Sequence, residues 1–161
     1  MRLARVLCIL GALAVSVAAA AQSGHHGSGQ HAASVMGFDQ ERTTHHFLLF
    51  TDGGAIDVSV NDPSDAANRE AIRSHLPHIA AMFGTGDFNA PMLVHDSANV
   101  PGTRIMTARR KTIRYQYVET PRGGRVNIVT TDRDALDAVH AFLRFQIDEH
   151  KTGDPTTVRP R

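Results

Sequence analysis

Cysteine and tryptophan are scarce in this sequence: its 161 residues include one cysteine, Cys8, and no tryptophan. Cys8 lies in a short apolar run that we expect to be removed, so the mature chain has no thiol. A chain without thiols forms no disulfide framework and offers no thiolate for catalysis. Nucleophilic catalysis has no other signature here, because the sequence contains no G-x-S-x-G motif.

Long apolar runs are also scarce. Arg2 and Arg5, the apolar stretch 6–17 and the small residues 18–21 together predict a secretory signal peptide over residues 1–21. The stretch is too short to span a membrane, and no second run of membrane length follows it. The sequence therefore predicts a periplasmic or secreted protein with no membrane contact once the signal is removed.

A large excess of charge of either sign is missing as well. Removal of Arg2 and Arg5 from the 17 basic residues leaves 15 against 16 acidic residues. Binding to nucleic acid needs a basic surface, which this balance does not supply. All ten histidines lie after the signal peptide, and histidine is the side chain whose ordinary pKa, about 6.5, is closest to neutrality.

The composition divides the mature chain into three parts. Residues 22–37 are rich in Gly, Ser and His and predict a flexible segment whose histidines bind metal weakly or serve as a solvated spacer. Residues 38–151 have the length of one domain. Residues 152–161 predict a C-terminal tail. We find no internal repeat in the sequence.

Two hairpins are predicted within the domain. Residues 45–52, HHFLLFTD, and the alternating residues 55–60, AIDVSV, flank a pair of glycines. That pattern is typical of a hairpin. Residues 112–131 predict a second hairpin around TPRGG. PMLVHD, residues 91–96, predicts a short additional strand.

Two amphipathic helices are predicted as well. The first begins at Asp62, ends near Gly84 and is kinked or broken near Leu76, because Pro77 disfavours helical geometry there. The second begins at Thr131 or Asp132, and its core stripe comprises Leu136, Val139, His140, Leu143 and Ile147. Hairpins with helices of this kind predict an α+β two-layer sandwich, an antiparallel sheet of four to five strands with two helices on one face.

Histidines are the candidate functional residues. His75 and His78 lie three residues apart near Met82 on the first helix, a spacing that allows two imidazoles to bind one metal ion. With His95 and His140 from other elements they predict a copper or zinc site. The alternative is that His75 and His140 are histidines at the edge of the core, hydrogen-bonded to backbone or carboxylates, while His78 faces solvent.

Two other classes of function remain open. The domain is an interaction module for a protein partner or a homodimer, using Phe145 and an exposed sheet face. Alternatively it is an enzyme in which a histidine acts as general base, oriented by Asp96 or Glu119. The sequence assigns no catalytic residue and favours a protein without catalysis. His45 and His46 point to opposite faces of a strand, which favours an edge-strand pair over a shared site.

The chain resembles a small family of uncharacterised bacterial exported proteins over residues 37–154. The segments that carry the likeness are GFDQERTTHHFLLF, GGAIDVSVNDP, IRSHLPHIAAMFGTGDFNAPMLVHD, ETPRGGRVNIVTTD and HAFLRFQIDEHKTGD. Members of that family are sometimes labelled aspartate carbamoyltransferase. The Ser-x-Arg-Thr phosphate motif and the His-Pro element of that enzyme do not occur in this sequence, so the resemblance implies the family and not carbamoyl transfer.

Overall fold

The computed structural model describes residues 36–95, 97 and 99–161. The predicted signal peptide and nearly all of the predicted flexible segment, 22–37, lie outside the described residues. Eight helices and strands follow one another in the described part, apart from two short 3-10 turns: β1 Thr43–Phe50, β2 Gly53–Val60, α1 Ala66–Thr85, α2 Asn89–Val94, α3 Thr103–Ala108, β3 Ile113–Thr120, β4 Gly123–Thr130 and α4 Arg133–His150.

The four strands form one antiparallel sheet in the order β1-β2-β4-β3. The long helices α1 and α4 lie side by side on one face of the sheet, where α1 covers mainly β3 and β4 while α4 covers mainly β1 and β2. The predicted α+β architecture is confirmed, with four strands. Among the described helices, none combines the length and apolar character needed to cross a bilayer.

The architecture is a structural repeat of one ββα unit. The register between β2 and β4 pairs Gly53 with Val129 and Gly123 with Ser59, and Ile56 faces Val126 at the centre. A two-fold rotation about that centre superimposes each residue of the first hairpin on the residue 70 positions later, as Gly53 on Gly123. The sequence itself shows no repeat, because GGAIDVSVND and GGRVNIVTTD share only two glycines and a final aspartate as identities. The repeat is visible only in the structure.

Glycine is required at the first hairpin because strands and helix approach closely there. A Cβ atom on Gly54 would collide with the carbonyl oxygen of Leu48 and the side chain of Leu143. Gly53 has φ +141°, a conformation that side chains disfavour. The glycine pair that the sequence placed in the turn lies at the start of β2, after a turn at Thr51 and Asp52, where it lets α4 lie against the hairpin.

The predicted strand over 91–96 is wrong, because residues 89–94 form α2. The carboxylate of Asp87 accepts a hydrogen bond from the backbone N–H of Asn89, 2.9 Å away, at the start of this helix. Pro91 has no N–H to donate to a strand ladder, while the first helical turn needs none. A short apolar run does not by itself distinguish a strand from one buried helical turn.

Helix α1 begins three residues later than predicted. Its N-cap is Asp65, whose carboxylate accepts a hydrogen bond from the N–H of Asn68, whereas Asp62 accepts from Ser64 in the preceding turn. The helix ends at Gly86, in the left-handed conformation, and not at Gly84.

The predicted break near Leu76 is wrong, since α1 continues through Pro77. Proline inside a helix costs about 3 kcal/mol. Leu76 and Ile79, on either side of it, are both buried in the core. Each contributes about 2 kcal/mol on burial, which outweighs the cost of the proline.

Helix α4 agrees closely with its prediction. Asp132 is the N-cap, and its carboxylate accepts a hydrogen bond from the N–H of Ala135 at 3.0 Å. The buried face of α4 comprises Ala135, Ala138, Val139, His140, Phe142, Leu143, Gln146 and Ile147. It is wider than the predicted stripe but does not include Leu136, which is only half-buried.

The predicted C-terminal tail, residues 152–161, lies against the free edge of β1. The backbone N–H of Arg159 donates to the carbonyl oxygen of Leu49 at 3.2 Å. The carboxylate of Asp154 accepts a hydrogen bond from the N–H of Phe47 at 2.9 Å. The segment therefore satisfies backbone groups that an edge strand would otherwise expose.

Replacement of Gly54 by alanine should destabilise the fold by more than about 2 kcal/mol, because the added methyl collides with backbone. Gly84→Ala is the matched control. Nothing lies within 4 Å of a Cβ atom on this helical glycine, so the change should stabilise the protein by up to about 1 kcal/mol. Urea unfolding measured by circular dichroism tests both. Equal stability of the two variants would contradict the close approach at Gly54.

Candidate functional site

A cavity of about 70 Å³ lies between α1 and α4, above the β1–β2 hairpin. Helix α2 and His95 close one side, and Met36 and Phe38 lie at another. Such a space holds about five water molecules. Most of its walls are apolar; the polar side chains that line it are Gln146 and four histidines: His45, His75, His95 and His150.

The spacing of residues along α1 and α4 explains which of their side chains line the cavity. Leu76, Ile79 and Phe83 come from one face of α1, where residues three and four apart lie above one another. Phe142, Gln146 and His150 follow at intervals of four on α4, so one stripe of this helix changes from aromatic to polar toward the C-terminal end.

The structure separates the four predicted metal ligands. His75 and His95 line the cavity, whereas His78 is exposed and does not line it. His140 is buried on α4, where its Nε2–H donates to the carbonyl oxygens of Phe50 and Gly53 at 2.9 and 3.0 Å. His140 thus fastens α4 to the β1–β2 turn. Within residues 36–95, 97 and 99–161, no group of three or more His, Cys, Asp or Glu side chains is positioned to hold a metal ion.

Two cavity histidines are not among the four metal ligands predicted from the sequence. His45 was interpreted as part of an edge-strand pair, but it points toward the helices while His46 points to the other face. His46 contacts the carboxylate of Asp154 at 2.8 Å. His150 was not considered, although the four-residue interval from Phe142 and Gln146 indicates that it shares their face.

Three of the imidazole rings are close neighbours. The ring centre of His150 is 5.4 Å from that of His45 and 5.0 Å from that of His95. Phe38 stacks on His45 at 5.8 Å and meets His75 edge-on at 5.7 Å. The aromatic packing holds the imidazoles in a largely apolar environment.

Burial favours the neutral form of three of these imidazoles. Burial is the largest cause that lowers the pKa of His45 to about 4, and the nearby His75 and His46 are the further causes. Burial likewise lowers the pKa of His150 to about 3, with His45 and His95 as additional causes. The pKa of His75 is lowered by burial and then by His78. At neutral pH the rings of His45, His75 and His150 are therefore uncharged, each with one donor and one acceptor.

Gln146 has a hydrogen-bonding group without a partner. Its Oε1 is 3.0 Å from Nε2 of His95. Because an amide oxygen only accepts, the His95 Nε2 carries the proton. The Gln146 Nε2 is buried and finds no partner among the described residues. A buried, unpaired amide donor costs about 1–3 kcal/mol.

The other residues raised by the sequence lie elsewhere or have structural contacts. Phe145, a candidate for a partner surface, is half-buried and meets His95 edge-on at 5.2 Å. Glu119, a candidate for orienting a general base, pairs with Arg73 at 3.0 Å and does not line the cavity. Asp96 lies outside the described residues.

Comparison with known proteins found no matching family model, no matching curated protein and no matching solved structure.

The free energy of unfolding should fall as the pH is lowered from 7 to 5. The folded-state pKa values of His45 and His150, about 4 and about 3, lie below the unfolded value of about 6.5. Between these values the unfolded chain binds more protons, so acidification favours unfolding by up to about 1.4 kcal/mol per pH unit for each histidine.

Urea unfolding at pH 5, 6 and 7 measures this slope. The double variant His45→Phe, His150→Phe should flatten it, whereas His78→Ala, at an exposed position, should change it much less, through its smaller effect on the pKa of His75 alone. A wild-type slope no steeper than that of the double variant would contradict buried neutral histidines.

Proposed function

We propose that this domain binds a small organic molecule in the cavity between α1 and α4. The observation that carries the proposal is the Gln146 amide, a buried donor without a partner among the described residues, in a side chain that lines an apolar cavity. Folded proteins satisfy most buried polar groups. A ligand that supplies an acceptor would satisfy this one.

The residues that line the cavity indicate the size and polarity of the ligand. Aromatic and aliphatic side chains surround most of the space, with Phe47, Phe83 and Phe142 among them. Ligand sites are usually concave and mainly apolar, with a few polar groups that fix orientation. The enclosed space of about 70 Å³ limits the buried part of the ligand to about the size of a six-membered ring. The ligand is therefore compact, with an apolar body and one polar end.

The positions of the histidines also support a ligand with one polar end. The rings of His45, His75 and His150 line the cavity, and they form no hydrogen bond to any of the described residues. The polar end of the ligand would lie between these rings and Gln146. The N-terminal sequence supports placing this binding in the periplasm or outside the cell.

Benzyl alcohol is a suitable probe, since it joins a ring of the right size to a hydroxyl that donates and accepts. Titration of the full chain, followed by ¹H–¹⁵N spectra, should shift the side-chain amide of Gln146 and the rings of His45 and His150. Val94→Phe fills the cavity from α2 and should weaken binding at least tenfold. Leu93→Phe, at the neighbouring exposed position, should not.

Unshifted Gln146 signals in the wild type, at probe concentrations up to the millimolar range, would contradict the proposal. Equal binding by Val94→Phe and Leu93→Phe would do the same, because the probe would then bind outside the cavity. In either case the domain is better explained as an interaction module that binds no small ligand.

Transition-metal binding is the second candidate function. The ring centre of His150 lies 5.4 Å from that of His45 and 5.0 Å from that of His95, separations roughly like those between imidazoles that share one zinc ion. As placed, their nitrogens do not converge, so binding would require the rings to turn about their side-chain torsions.

Calorimetric titration with ZnCl₂ and with CuCl₂ distinguishes the two metal hypotheses. If the cavity rings bind, His45→Ala with His150→Ala should abolish stoichiometric binding. If the ligands predicted from the sequence bind, His75→Ala with His78→Ala should abolish it. We expect neither double variant to change the weak background from the histidines of segment 22–37. Binding that is lost in neither variant would contradict both sites.

A further inference from the structure

We infer that a second copy of this chain pairs along the outer edge of β3, so that the two sheets join into one continuous antiparallel sheet. None of the described residues of β3 lines the cavity, so the inference goes beyond the proposed function and does not depend on it. Strands β1 and β3 are the two edges of the sheet. The segment 152–161 covers the edge of β1, whereas no described segment covers the edge of β3.

The outward backbone groups of β3 have no partner among the described residues. The N–H of Thr130 donates to the carbonyl oxygen of Asp52 at 3.0 Å, so the even-numbered residues of β4 bond toward β2. The odd-numbered residues of β4 therefore bond toward β3, and the register makes the odd-numbered residues of β3 point away from the sheet. These residues are Ile113, Tyr115, Tyr117 and Glu119. An edge of this kind is a template for a further strand.

Strand β3 is complementary to its own copy. In an antiparallel pair centred on Gln116, this residue lies opposite Gln116 of the second copy. Tyr115 then lies opposite Tyr117, and Ile113 lies opposite Glu119. Each outward residue thus meets an outward residue of the second copy, which supplies up to about eight backbone hydrogen bonds. Because both copies use the same edge about a two-fold axis, the assembly closes as a dimer.

The charges along the edge match this arrangement. Lys111 and Arg114 are exposed at the beginning of β3, and Glu119 is exposed near its end. Glu119 shares Arg73 with Glu70, so these three side chains together carry a net negative charge. Antiparallel pairing brings Lys111 diagonally opposite Glu119 of the second copy, within reach of a long side chain. The basic end of each strand therefore meets the acidic end of the other.

The side of α1 above β3 leaves room for the second copy. Arg73 donates to the carbonyl oxygen of Thr120 at 2.9 Å, which places its side of α1 over β3. Three exposed residues with short side chains follow it at intervals of three and four on that side: Pro77, Ala81 and Gly84. Helix α1 packs on both β3 and β4, so pairing at the strand spacing of about 4.8 Å brings the two copies of α1 to roughly 10 Å. Helices pack at such distances, about 8–10 Å.

The composition of the edge favours a second copy over the segment 22–37 as its occupant. That segment is rich in glycine, which strands disfavour, whereas β3 itself contains Ile, Val, Thr and two Tyr, all strong strand formers. Val118 is 41% exposed and would lie opposite Arg114 of the second copy, whose aliphatic stem covers it.

Sedimentation equilibrium of the full chain tests the dimer, which should form in the micromolar range. Gln116→Lys and Gln116→Glu each set like charges opposite one another at the two-fold axis, so each should weaken dimerisation by about fivefold. An equimolar mixture of the two variants should recover the wild-type affinity, because opposite charges then meet. Asp148→Asn changes the net charge as Gln116→Lys does, but on α4, which packs mainly on β1 and β2. This control should leave dimerisation unchanged.

A disulfide tests the register. Residues opposite each other in a non-hydrogen-bonded pair have Cα atoms about 4.5 Å apart, which a disulfide can join. With Cys8→Ser to remove the native thiol, Gln116→Cys should therefore form a covalent dimer under mild oxidation. Val118→Cys, exposed on the same strand, is the matched control. Its two copies lie about 13 Å apart along the strand, so they should crosslink at least tenfold more slowly.

Thermal unfolding of each variant, followed by circular dichroism, shows whether it is folded. A wild type that remains monomeric across the micromolar range overturns the inference. A dimer that neither charged variant weakens, or equal crosslinking of Gln116→Cys and Val118→Cys, indicates a contact elsewhere and overturns it as well.

Discussion

The pairing of β2 with β4 is the contact on which the rest of the structure depends. It joins the two ββα units, and it is the one sheet contact between the first hairpin and the second. Ile56 lies opposite Val126 at its centre, and both side chains are buried beneath the helices. A slip of one residue between the strands would turn one of the two side chains to the opposite face of the sheet, so burial of the core specifies the register.

This pairing also determines where the cavity lies. Each helix crosses over and packs mainly on the hairpin of the other unit. The two helices therefore meet above the sheet centre and leave a gap above β1 and β2. An unfilled gap loses dispersion contacts, and the unpaired Gln146 donor adds about 1–3 kcal/mol. For a domain with a total stability of about 5–15 kcal/mol, such costs are large, which is consistent with a cavity kept for a ligand.

The two ββα units differ in the side chains that their strands place on the sheet face covered by the helices. His45 on β1 corresponds to Tyr115 on β3, and Phe47 corresponds to Tyr117, each pair 70 positions apart. In the second unit, Tyr115 meets Phe83 edge-on at 5.8 Å, and its hydroxyl is buried without a partner among the described residues. Burial raises the pKa of this phenol, so it stays protonated. The titratable imidazoles lie instead around the part of the domain where α4 packs on β1.

Local patterns in the sequence determined the hairpins, the α4 cap at Asp132 and the α+β class, because these depend on residues close together in the chain. Helix α2 was not predictable in this way, since a six-residue apolar run satisfies either helix or strand. The site required tertiary structure. His45 and His150 are more than 100 positions apart, and only the packing of α4 on β1 brings their rings to 5.4 Å. His140, on the same helix, does not line the cavity and donates instead to the backbone carbonyl oxygens beside the β1–β2 turn. Sequence spacing identifies which histidines share a face of one element, but the distance between elements follows from the register of β2 with β4 and the crossing of the two helices.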